Sequence, residues 1–231
     1  MSKVKEFVAC GPRRDVQNPD ERWVQRRLEQ RMSVHRIATS RLPTKYGLFR
    51  AHAFAGADGY EHLALVRLRL SQVRPPLVRI HSECITGEAL GSLRCDCGAQ
   101  LSESLRRIVQ AGSGILIYLR GQEGRGIGLA NKIRAYALQD AHHDTVSANS
   151  ALGLPVDARN YGPAAAMLLE FGVRRVRLLT NNPMKVSALE AASIVVEERV
   201  PLVAGATVEN KRYLQAKVEK LGHLLAQNIE H

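Results

Sequence analysis

The chain has 231 residues, of which 45% are hydrophobic and 24% charged, and its formal net charge is +11. That balance excludes intrinsic disorder as the main state and supplies enough apolar residues for a buried core. The longest unbroken apolar run, Ala164 to Leu169, has six residues, against about 20 for a membrane-spanning helix. No leader pattern opens the chain, so the expectation is a cytoplasmic protein with no membrane association.

The charge is spread rather than blocked. Residues 1–36 carry nine basic and five acidic side chains, net +4, and residues 37–231 carry 24 and 17, net +7. No run of five like charges occurs, and a 5% aromatic content leaves few platforms for base stacking. A pocket for an anionic small molecule therefore accounts for the charge at least as well as a nucleic-acid surface does.

Residues 13–32 are polar around Trp23, Val24 and Leu28, and read as a peripheral helix starting near Asn18-Pro19. Tyr46 to Phe54 and Glu61 to Leu70 read as strands joined by a turn at Ala55 to Gly59. Leu77 to His81 is a third strand, Gly98 to Gln110 a helix and Ile115 to Leu119 a short buried strand. A helix from Leu129 to Gln139 follows the glycine-rich run Gly121 to Gly128. Further on come a helix from Pro163 to Phe171, a strand from Arg175 to Leu179, a helix from Val186 to Ala192 and a strand from Ser193 to Arg199. An amphipathic helix from Glu209 to Gln227 closes the chain. Early strands followed by alternating helix and strand predict an α+β (mixed α/β) fold. We expect an N-terminal extension over residues 1–38 and one domain over 39–231.

Four segments carry candidate chemistry. The first runs from Arg79-Ile80-His81-Ser82-Glu83-Cys84 to Arg94-Cys95-Asp96-Cys97. Three clustered cysteines without a fourth fit a metal site with one position left for water, which zinc would acidify to a pKa of about 7. They would also fit buried thiols in an apolar core. A Cys-x-Cys pair just before a helix start gains from the amides there, which favour thiolates. His81, by strand alternation, should face away from Cys84 and serve in the core or behind the site. The second segment, Gln122 to Gly128, has neither a P-loop nor a dinucleotide-binding spacing, yet it sets Glu123 and Arg125 on backbone that can approach a ligand. The third is Asp157-Ala158-Arg159. The fourth, Thr180 to Lys185, follows a buried strand, where α/β proteins often keep ligand residues.

Together, HSECITGEALGSLRCDCG, GQEGRGIGL, NKIRAYALQD, VDAR and LLTNNPMK resemble the GTP cyclohydrolase II family in order and spacing, over about Ser40 to Leu225. The resemblance implies a homodimeric enzyme that opens the imidazole ring of GTP at C8. It would release formate and pyrophosphate and yield 2,5-diamino-6-ribosylamino-4(3H)-pyrimidinone 5′-phosphate, for riboflavin synthesis or a related pathway. It implies one zinc ion per subunit on Cys84, Cys95 and Cys97. GTP would lie against Arg79, Ile80, His81, Ser82, Glu83, Gln100, Glu123, Gly124, Arg125, Thr145, Thr180 and Lys185. Asp157 would be the proton acceptor and Arg159 the nucleophile at the α-phosphate. A guanidinium, protonated to a pKa above 12, equally suits electrostatic stabilisation there. Tyr136 would orient the ring-opened intermediate, and Mg²⁺ would accompany the triphosphate. Glu123 offers a carboxylate to the guanine N–H groups. A zinc-containing nucleic-acid module, which would close its fourth metal position, and a non-catalytic nucleotide-binding relative are the rival readings.

Overall fold

The computed structural model describes residues 33–67, 74–141, 145–211 and the single positions 214, 215, 218, 219, 222 and 224. The helix expected over residues 13–32 lies outside them, as does most of the one expected over 209–227.

Three antiparallel strands come first, β1 (Val34–Thr44), β2 (Gly47–Gly56) and β3 (Glu61–Arg67). The turn between β2 and β3 is stabilised by Asp58, whose carboxylate accepts from the Tyr60 amide at 3.1 Å. Four parallel strands follow, β4 (Leu77–Ser82), β5 (Gly114–Leu119), β6 (Arg175–Leu179) and β7 (Val195–Val200). The seven form one mixed sheet in the order β1-β2-β3-β5-β4-β6-β7, with β3 against β5 as the antiparallel seam. The helices are α1 (Ile85–Glu88), α2 (Cys97–Ala111), α3 (Glu123–Gly126), α4 (Leu129–Asp140), α5 (Thr145–Ala151), α6 (Gly162–Glu170) and α7 (Pro183–Ala191). This is the α+β architecture expected.

Strand alternation divides the core in two. Val78, Ile80, Ile115 and Ile117 pack against Ala164 and Leu168 of α6 and Leu189 of α7. Leu77 and Leu116 meet Leu105 and Ile108 of α2 on the opposite side. The central strands β4 and β5 are thus covered on both faces, and their near-continuous apolar sequence follows from that.

Two differences from the sequence reading have physical causes. Strand β1 was not expected, and it begins at Val34, inside the segment taken as an extension. It is exposed along nearly its whole length, so burial imposes no period-two pattern on it. Helix α7 starts at Pro183, three residues before the expected Val186. Asn182 caps it by accepting from the Met184 amide at 2.9 Å, with Pro183 in the first turn.

Candidate active site

The first sulfur of a cluster lies two residues beyond strand β4, and α2 begins with the last. Cys84 precedes α1, Cys95 lies in the following loop, and Cys97 is the first residue of α2. Their three Sγ atoms lie within 4.8 Å of one another, and Cys84 and Cys95 are 3.7 Å apart. Tetrahedral zinc with Zn–S bonds of about 2.3 Å requires sulfurs about 3.8 Å apart, so this donor set fits the ion. The packing leaves no slack around it. A Cβ on Gly87 would stand 2.6 Å from the Cys95 sulfur, and one on Gly98 would collide with the Gly87 carbonyl oxygen. Hydrogen bonds from the Cys95 and Cys97 thiols, aided by Lys132, hold the Cys84 sulfur well below the usual thiol range. Hydrogen bonding to Cys84 raises Cys95 and Cys97 in return. Three ionised sulfurs this close would repel one another, so a cation among them would favour all three thiolates.

The glycine-rich run packs against this cluster. Within α3, Gly124 and Arg125 both adopt left-handed backbone, with φ of 59° and 64°. For Arg125 this conformation costs about 1–2 kcal/mol. The turn is fixed from outside: the Ala158 amide donates to the Arg125 carbonyl at 2.9 Å. A Cβ on Gly126 would press on the Ala158 backbone at 3.0 Å. The Gln122 to Gly128 run and the Asp157-Ala158-Arg159 segment are therefore one structural unit. Glu123 points inward. One oxygen accepts from the Ile85 amide at 2.7 Å, and the other from the Lys132 ammonium at 2.6 Å. The carboxylate expected to read guanine is engaged in supporting α1.

A second cluster of polar groups occupies the far end of the groove. Arg79 is buried, donates to the Leu179 carbonyl at 3.0 Å and to Gln100 Oε1 at 2.6 Å, and leaves its Nε without a protein partner. Burial pulls its guanidinium down to about 10, still protonated at neutral pH. Lys185, also buried, donates to the Ile80 carbonyl at 2.9 Å. Thr180 accepts from the Asn182 amide at 3.0 Å. Arg159 is paired in a fork with Asp157, its Nε donating to Oδ1 at 2.9 Å. Burial alone would raise the Asp157 carboxyl, but the Arg159 guanidinium more than reverses this and keeps it below the ordinary range.

The two ends adjoin. One hollow is lined by the three cysteines, Lys132, Tyr136 and Gln139, and a second by Arg79, Gln100, Thr180, Asn182 and Lys185. Ser82, Cys97, Arg125 and Arg159 line both. Glu83 and Gly124 line the thiolate end, and His81 the cationic end. Ile80 belongs to the core and contributes only its backbone carbonyl. Thr145 opens α5, and its side chain lies outside the described residues.

His81 does not reach the sulfurs. Its Nε2 pairs with Glu88 Oε1 at 2.9 Å, an oxygen that also accepts from the Cys84 amide at 2.8 Å. The Tyr118 hydroxyl donates to the other oxygen of Glu88 at 2.7 Å. Histidine and tyrosine thus orient the carboxylate that holds the Cys84 backbone. The sequence reading missed Glu88 and Lys132. For Lys132 a signal existed, since it lies one helical turn before Tyr136 on α4 and so shares its face.

A mixed sheet thus sets a three-cysteine cluster that could hold a metal ion beside a buried cationic cradle, an arrangement of the kind found in enzymes. The model of the family described as GTP cyclohydrolase II matches residues 35–201. A GTP cyclohydrolase-2 of Neisseria meningitidis serogroup C is 55% identical over 194 residues, covering 84% of this chain and 98% of that protein. A monofunctional riboflavin biosynthesis protein of Arabidopsis thaliana, named as chloroplastic, is 52% identical over 83% of this chain and 38% of its own length. The bifunctional riboflavin biosynthesis protein RIBA 1 from the same plant is 46% identical over 97% of this chain and 41% of its own length. The chain belongs to the GTP cyclohydrolase II family and is an enzyme of that type.

Proposed function

We propose that the chain opens the imidazole ring of GTP at C8, releasing formate and pyrophosphate and leaving 2,5-diamino-6-ribosylamino-4(3H)-pyrimidinone 5′-phosphate as a riboflavin precursor. The observation that carries this reading is the adjacency of the two hollows, which share Ser82, Cys97, Arg125 and Arg159 in their walls. A nucleoside triphosphate bound across them puts the base beside the sulfurs and the phosphates beside Arg79, Lys185 and Thr180. Mg²⁺ would share the phosphate charge.

Cys84, Cys95 and Cys97 would hold one zinc ion per subunit, which when bound supplies an acidified water and Lewis acidity beside C8. The protein's own groups do the rest. The unpartnered Nε of Arg79 and the Lys185 ammonium bind phosphate oxygens. Arg159 stabilises charge on the α-phosphate, and Asp157, kept ionised, aims its guanidinium. When Arg159 turns to the phosphate, Asp157 loses its counter-charge, becomes more basic and accepts a proton. Tyr136, on the wall of the thiolate end, orients the ring-opened intermediate for the second hydrolysis.

The exposed edge strand β1, with Ile37 and Leu42 on its surface, supports a homodimer. No helix among the described residues is long and apolar enough to cross a membrane. Cys84, Cys95 and Cys97 are free thiols, which a reducing cytoplasm preserves. The test is incubation of the zinc-loaded protein with GTP while formate and pyrophosphate are followed together. Equal yields are expected. Pyrophosphate without formate would overturn the ring-opening reading.

A further inference from the structure

Lys132 sits on α4 with only 8% of its surface exposed, at the thiolate end of the groove. Its Nζ lies 3.1 Å from Cys84 Sγ, 2.6 Å from Thr86 Oγ1 and 2.6 Å from Glu123 Oε1. An ammonium has three donors and no acceptor. All three donors are taken, so Lys132 has none left for a substrate and acts through the groups it holds. Glu123 passes the connection on, because its other oxygen accepts from the Ile85 amide at 2.7 Å. Lys132 therefore joins α4, the Glu123 turn and the first residue of α1, next to Cys84.

The charge balance gives this arrangement a purpose. Three thiolates and a divalent ion sum to −1, and the Glu123 carboxylate adds another negative charge in the same buried space. Buried charge without a partner is costly. One ammonium touching both a sulfur and the carboxylate relieves the repulsion between them. A charged N–H donor on a thiolate also draws electron density from the sulfur and makes it a weaker donor, which leaves a bound metal a stronger Lewis acid.

We propose that Lys132 is a positioning residue of the metal centre, fastening the Cys84 thiolate to the Glu123 carboxylate and weakening that sulfur as a metal donor. The inference rests on the zinc reading above. The alternative is that Lys132 serves only as the buried counter-ion of Glu123.

Cobalt(II) separates these possibilities, because its sulfur-to-metal charge-transfer band reports the donor strength of the thiolates directly. The full chain is loaded with cobalt as wild type, Lys132→Met, Lys132→Gln and Lys132→Arg, with thermal melts to check folding. The expected result is one cobalt per chain throughout, with the band moved to lower energy in Lys132→Met. Lys132→Gln, which loses the charge but keeps an N–H donor, should shift it part of the way, and Lys132→Arg should stay near wild type. With zinc, kcat for formate release in Lys132→Gln should fall about 10–100-fold, the usual effect of removing a partner of a metal ligand, while the KM for GTP changes little. Should Lys132→Met fail to fold, Lys132→Gln against Lys132→Arg decides. An unmoved band in a folded, cobalt-loaded Lys132 variant overturns the proposal and leaves the counter-ion role. A wild-type protein that takes up no cobalt and no zinc overturns the metal reading itself, and the proposal with it.

Discussion

The two ends of the groove are built in opposite ways. At the thiolate end the cysteines come from loops and helix starts, and their spacing depends on close approach at glycines, Gly87 against the Cys95 sulfur and Gly98 against the Gly87 backbone. At the other end the cations come from strand β4 and helix α7, and each is aimed by a backbone carbonyl, Leu179 for Arg79 and Ile80 for Lys185. The thiolate end gathers negative charge and needs a cation to be stable. The phosphate end gathers positive charge and is complete when an anion arrives. On the proposed function, binding and ring chemistry would rest on separate devices, and substitutions should separate them.

The largest effect should come from breaking the sulfur set. Cys84→Ser removes the ligand that Lys132 and Glu88 both support, and zinc content and formate release should fall to background together. Formate release persisting in the metal-free variant would remove the metal from the chemistry. Gly87→Ala probes the same end without replacing a cysteine. Its Cβ would need space 2.6 Å from the Cys95 sulfur, and overpacking of this kind costs about 1–3 kcal/mol. The variant should bind zinc weakly in a chelator competition while keeping its affinity for GTP. Unchanged zinc binding would mean that the loop has slack.

What the sequence revealed of these two ends differs for the same physical reason. The sulfur ligands were legible because three thiols within 14 residues are chemically conspicuous, and Lys185 because it follows a buried strand, while the role of Arg79 came with the resemblance. The resemblance in motif order added Asp157, Arg159 and Tyr136. The supporting groups were not legible. Lys132 reaches Cys84 across 48 positions and Glu88 is oriented by Tyr118 across 30, and spacing does not reveal such pairs. Glu123 was legible as a site residue, but its partners, the Ile85 amide and the Lys132 ammonium, depend on the fold of the turn around it. In the scaffold, buried strands such as β5 were plain from their apolar runs, whereas β1, exposed on both faces, left no pattern to read.

A smaller effect is expected at the cationic end. Lys185→Met removes a charged donor from the phosphate cradle, an interaction worth about 1.5–3 kcal/mol, or roughly a 10–100-fold rise in the KM for GTP. Zinc content should be that of wild type, since the Lys185 ammonium is held by the Ile80 carbonyl at the cationic end. A loss of zinc in this variant would mean that the two ends are coupled after all, and the division drawn above would fail.

His81 stands between the ends and gives the smallest effect. It shares strand β4 with Arg79, stacks on Tyr118 with ring centroids 5.7 Å apart, and pairs through Nε2 with Glu88. Burial lowers its pKa below 6.5, the Glu88 hydrogen bond opposes the shift, and the nearby charges of Arg79 and Lys185 assist it. The unfolded chain therefore binds a proton at His81 as pH falls through about 6.5, while the folded chain does not. Its contribution is complete above that pH and is lost below it, down to the depressed folded pKa. The slope cannot exceed about 1.4 kcal/mol per pH unit for one group. His52 and His62 are lowered by burial as well and act in the same direction. Denaturant melts of the metal-free protein between pH 7.5 and 5.5 should show stability falling with acid, less steeply in His81→Gln. An equal slope in that variant would assign the acid sensitivity to His52 and His62 in the antiparallel strands, away from the groove.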